Sequence, residues 1–132
     1  VNRLVDSFES CTLPLAGLRH REHVQLAWLY LRDASSFEQA GVRFCTGLRR
    51  FAHAHGKAGL YHETITWAYL ALVNERMHRA GASDFSSFAL ANPDLLDHKS
   101  GALAARYDQE TLRSELARRV FLLPGGREGL AG

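Results

Sequence analysis

The sequence predicts an all-α bundle, and three observations carry that prediction. Apolar residues recur at spacings of three and four over long stretches, as they do on helices with a buried face. Residues that start and stop helices fall at the ends of those stretches. No alternating run of useful length marks a strand. We expect a single helical domain over residues 1–132, with about five or six helices and a disordered tail from about residue 125.

The first 17 residues carry a short helical pattern, Leu4, Val5 and Phe8, which Pro14 and Gly17 interrupt. The first long helix is expected from about Leu18 to Arg32. Val24, Ala27, Trp28 and Leu31 form its buried stripe, and Leu26, Leu29 and Tyr30 widen it until little polar surface is left. A helix apolar over most of its circumference belongs at the centre of a bundle.

The second helix is expected over about 36–55. Ser35-Ser36-Phe37-Glu38 has the Ser-x-x-Glu spacing of a capping box. Phe37, Ala40, Phe44, Leu48 and Phe51 follow at helical spacing, and Gly56 stands where a C-terminal cap belongs. His53 and His55 in the last turn suit the negative end of the helix dipole.

The third helix is expected from about Tyr61 to Ala80, stopped by Gly81. Beyond it the pattern shortens. Ser83-Asp84 caps a turn with Phe85 and Phe88, and Asn92-Pro93-Asp94 has the order cap, proline, acid of a helix start. A further helix is expected from Ser100 to Tyr107. Asp108 caps a last one carrying Leu112, Leu116, Val120 and Phe121.

Composition narrows the function classes. The formal net charge is +2, and basic residues stand beside acids along most of the chain. Nucleic-acid binding needs a concentrated basic face, and Arg49-Arg50 and Arg118-Arg119 are too short to make one. No segment has the apolar length of a membrane span, and no secretory leader opens the sequence. Cys11 and Cys45 are too far apart for a Cys-x-x-Cys site. A reduced, cytoplasmic protein is the expectation.

Two histidine-bearing helix starts carry the chemistry. His20 and His23 lie three apart, so both rings can share one helix face. His62 and Glu63 open the third long helix side by side, diverging by about 100° on a regular helix. Imidazoles with a carboxylate suit Zn(II), Fe(II), Mn(II) or Cu(II). His20, His23, His62 and Glu63 are therefore the candidate ligands of a divalent transition metal, with His20 and Glu63 as candidate catalytic groups. Tyr61 and Thr64 are candidate pocket residues. The plain alternative is that the histidines are hydrogen-bonded helix-start residues and that Glu63 complements the helix N-terminus.

His62-Glu63-Thr64-Ile65-Thr66 departs from the zinc-protease pattern His-Glu-x-x-His, because Thr66 replaces the second histidine. A histidine at one helix start with a His-acid pair at a later one resembles the metal-dependent phosphohydrolases named for their His-Asp pair. Here the acid is Glu63, and the distal aspartate of those enzymes has no clear counterpart. That resemblance implies a metal that activates water for attack on a phosphate ester. His20-Arg21-Glu22-His23-Val24-Gln25-Leu26-Ala27-Trp28, Phe51, Gly56, Tyr61-His62-Glu63-Thr64-Ile65-Thr66 and Pro93-Asp94-Leu95-Leu96 together resemble a family of small helical bacterial proteins without an assigned activity. The resemblance spans most of the chain and implies a bundle, but no reaction.

Two functional expectations follow. One is a metal-dependent enzyme acting on a small molecule, hydrolytic or redox, with its site where the starts of the first and third long helices meet. The other is a non-catalytic ligand-binding or homo-oligomeric module, a homodimer for instance, with structural histidines.

Overall fold

The structure, a computed structural model, describes residues 2–81, 84–97 and 101–125. The expected tail lies outside the described residues, as do Ser83 and Ser100. Among the described residues the chain forms α-helices and no strand, as the periodicity predicts. The helices are α1 (Arg3–Glu9), α2 (His20–Asp33), α3 (Phe37–Ala54), α4 (Glu63–Ala80), α5 (Phe85–Ala91), α6 (Gln109–Arg113) and α7 (Glu115–Arg119). Short 3-10 turns stand at Leu15–Gly17, Ala58–Leu60 and Pro93–Leu96.

The centre is α2, which packs against both α3 and α4. Leu26, Ala27, Trp28, Leu29 and Tyr30 are all buried, and five successive residues cover more than one face of a helix. Phe44, Leu48 and Phe51 of α3 and Leu70, Leu72 and Val73 of α4 complete the core around it. Ala68, Tyr69, Leu103 and Tyr107 form a smaller cluster beside it.

Local chemistry sets each helix end. Asn2 caps α1 by accepting from the amides of Leu4 and Val5. At α2 the Glu22 carboxylate accepts from the Arg19 amide at 3.0 Å, the half of a capping box that an arginine cap allows. Ser36, not Ser35, caps α3, by accepting from the Gln39 amide. The Gln39 side chain then accepts from the Ser35 amide at 2.8 Å. The box is thus shifted by one residue, because two serines in tandem offer two registers.

The C-terminal third differs most from expectation. The helix start at Asn92-Pro93-Asp94 gives only the 3-10 turn Pro93–Leu96. Residues 101–107 form turns where a helix was expected. A Cβ on Gly101 would sit 2.1 Å from the Asp94 carbonyl oxygen. The chain therefore folds back onto the 93–96 turn at a point only glycine permits. The last helix is broken at Ser114, whose extended backbone ends α6. The Ser114 hydroxyl donates to the Thr111 carbonyl and accepts from the Ala117 amide, so one side chain closes α6 and opens α7.

Close packing makes a stability prediction. Phe8, 1% exposed, lies against Gly47, where an added Cβ would stand 2.8 Å from the ring. Phe44 and Phe51 hold that ring from other sides, at centroid distances of 6.4 and 5.5 Å. Gly47→Ala gains about 1 kcal/mol of helix propensity but overpacks a ring that cannot retreat, at about 1–3 kcal/mol. We expect a net loss of about 1 kcal/mol in chemical denaturation. Gly59→Ala, whose added Cβ meets open space, should stay within about 0.5 kcal/mol.

Candidate functional site

The starts of α2 and α4 lie at the same end of the bundle and open onto one hollow of about 420 Å³. Leu15 and Leu18 supply its floor before α2. Phe44, Leu48, Phe51 and Ala52 enter from α3, and Ile65, Thr66 and Tyr69 from α4. The turn Ala58–Leu60 contributes Leu60 to the rim, and α7 contributes Arg118. His20, His23, Tyr61 and His62 complete the wall. Three of the four candidate metal ligands therefore share one pocket.

Their rings have separate tasks. The His62 Nδ1 accepts from the Ile65 amide at 3.1 Å and so caps α4. Its Nε2 then carries the proton and donates to the Leu112 carbonyl at 2.7 Å. The His20 Nε2 meets the Leu95 carbonyl at 2.8 Å, and its ring stands edge-on to Tyr69 with centroids 4.9 Å apart. Among the described residues, none hydrogen-bonds the half-buried His23 ring. Burial, reinforced by His20 beside it, holds the His23 pKa down to about 4, outweighing the pull of Glu22. At neutral pH this ring is therefore an uncharged imidazole facing the hollow.

Glu63 is not part of the lining. Its Oε1 accepts from the Tyr61 hydroxyl at 2.6 Å and from the Arg49 guanidinium at 3.0 Å. The physical reason is its position in the first turn, about 100° around the helix from His62. Arg49 also lies over the Tyr61 ring, 4.6 Å from the centroid. Burial, followed by the neighbouring Cys45 and Glu63, raises the Tyr61 hydroxyl well above its ordinary range. Tyr61 thus lines the hollow as a neutral phenol whose proton is committed to Glu63.

Thr64 is fully buried and does not reach the hollow. Its hydroxyl donates to the Val120 carbonyl at 2.8 Å and accepts from the Leu122 amide at 3.1 Å, pinning the C-terminal segment to α4. Tyr107 donates to the Leu122 carbonyl and reinforces the same attachment. Thr66 faces the hollow and returns its proton to the His62 carbonyl at 2.7 Å.

Arg118, Tyr69 and Thr66 are the polar lining residues that the sequence did not mark as candidates. Arg118 was visible only as half of an Arg-Arg pair. Among the described residues, no group of three or more His, Cys, Asp and Glu side chains is placed to hold one ion. No family model, curated protein or solved structure matches the chain.

The His23 ring gives a pH prediction. Its folded-state pKa of about 4 lies below the ordinary 6.5, so the unfolded chain takes up the proton first as pH falls. Stability is complete above pH 6.5 and declines as pH drops toward 4. We expect this group to remove about 1–2 kcal/mol by pH 5. The difference between native and His23→Gln denaturation midpoints over pH 4–7.5 measures it, and a difference independent of pH would contradict the assignment.

Proposed function

We propose that this chain is a small-molecule binding protein whose ligand lies in the hollow between α2, α3 and α4. The observation that carries this reading is the hollow itself. Its volume, about 420 Å³, falls within the roughly 300–1,000 Å³ usual for small-molecule sites. Its walls are mostly apolar, with a few polar groups that converge, which is the composition such sites share. The neutral His23 imidazole lines the hollow with no hydrogen-bond partner among the described residues, and it offers a ligand one hydrogen bond as donor or acceptor.

The metal-centred enzyme asks more of the same residues. His62 would give up either its cap on Ile65 or its bond to Leu112, and Glu63 would have to leave Arg49 and Tyr61. The part-buried Ile65 amide or Leu112 carbonyl left without its partner would cost about 1–3 kcal/mol. Ligand binding needs no such rearrangement, since a preformed apolar cavity takes up an apolar body by desolvation alone.

The test uses a neutral fluorescent apolar probe, N-phenyl-1-naphthylamine. Saturable binding with one site per chain is expected. Ala52 is a small residue on the α3 wall, so Ala52→Leu should fill the hollow, weaken the probe at least tenfold and leave the thermal midpoint equal or higher. Probe binding that is absent, or untouched by Ala52→Leu, sinks the reading. Titration with Zn(II) separates the enzyme reading: we expect no stoichiometric heat. One equivalent bound, and lost in His23→Gln, would favour the metal-centred enzyme instead.

A further inference from the structure

The charge around the hollow goes further than its shape. The lining contains no Asp or Glu, and its one permanently charged member is Arg118. Among the described residues Arg118 makes one hydrogen bond, from Nη1 to the Gly59 carbonyl at 3.0 Å, and no ion pair. Arg19, Arg32, Arg49, Arg76 and Arg79 each hold a carboxylate. A half-buried guanidinium with five donors and one backbone partner is a site for an oxyanion.

Its position adds a direction. A second hollow lies against the first, and the two share Tyr61 and Arg118 as common walls. The turn Ala58–Leu60 runs between them, with Leu60 on the apolar side and Ala58 and Gly59 on the other. The second hollow is lined by Arg49, Arg118, Arg119 and His53, with Glu115 as its one carboxylate. One chamber is therefore apolar and free of acids, the adjoining one is cationic, and Arg118 stands at the junction.

We propose that the ligand is a single-tailed amphipathic anion, its apolar tail in the hollow between α2, α3 and α4 and its carboxylate or phosphate head on Arg118. The proposal rests on the small-molecule reading above and specifies its ligand class. The tail is excluded from water by Phe44, Leu48, Phe51 and Ile65. The head exchanges water for guanidinium donors while still open to the second hollow.

The test is displacement of N-phenyl-1-naphthylamine by decanoate, decyl phosphate and decan-1-ol, each below its micellar concentration, with calorimetry of decanoate alongside. At least one anion should compete about tenfold more tightly than the alcohol, and the better head identifies the source chemistry. Arg118→Gln should reduce that preference to less than threefold while leaving decan-1-ol unchanged. Arg118→Lys should keep most of it, and Arg3→Gln, at an exposed arginine that lines neither hollow, should keep it all. A wild-type protein that binds the alcohol as well as both anions overturns the proposal and leaves the small-molecule reading standing. So does a preference that survives in a folded Arg118→Gln protein. Failure of alcohol, anions and fluorophore alike overturns both.

Discussion

The arrangement depends on one imidazole. His62 closes α4 with one ring nitrogen and grips the Leu112 carbonyl of α6 with the other. The cap fixes where α4 begins, and the grip fixes where the C-terminal segment lies against it. Thr64, two residues on, repeats the attachment at Val120 and Leu122. Together with the Tyr107 bond to Leu122 and the Arg118 bond to Gly59, these contacts direct α7, and with it Arg118, toward the mouth of the hollow. An N-cap that is also a long-range donor is an economical device: the ring's tautomer is set by the helix, and the proton left over is spent on tertiary structure.

His20 mirrors this at the start of α2, with the Leu95 carbonyl as partner. That carbonyl is itself held in place. Arg76 of α4 binds Asp94 through both guanidinium nitrogens at 3.0 and 2.7 Å and reaches Asn92 at 2.8 Å. The bidentate geometry fixes the turn Pro93–Leu96 against α4, and the pairing with Arg76 holds the Asp94 carboxyl below its ordinary range despite partial burial. Two carbonyls from the last third of the chain are thus the anchors of the two helix-start histidines, and the hollow lies between the anchored rings.

The long helices were legible because their burial is periodic. Leu26 to Tyr30, with Phe44, Leu48 and Phe51 and with Leu70, Leu72 and Val73, are core in the structure as their spacing demands. The last third was less legible because its structure is set by single atoms. Gly101 against the Asp94 carbonyl and Ser114 shared by α6 and α7 leave no periodic trace. At the site, the meeting of His20, His23 and His62 followed from helix order. The separation of Glu63 from them followed from helix geometry, but its preference for Arg49 and Tyr61 is a tertiary fact. Arg118 was beyond reach, since its place is decided by contacts 59 residues away at Gly59.

Those long separations have a consequence for how the molecule is made. The bonds that bring the C-terminal segment to the hollow join residues 50 to 59 apart, at His62–Leu112, Thr64–Val120, Thr64–Leu122 and Gly59–Arg118. Synthesis runs from the N-terminus, so α1 to α4 emerge and can condense around Trp28 and Phe44 before α7 exists. During that interval the hollow lacks the wall that Arg118 supplies. During synthesis the molecule therefore passes through a stage when the hollow lacks α7, and the docking of the C-terminal segment onto α4 is the event that completes it.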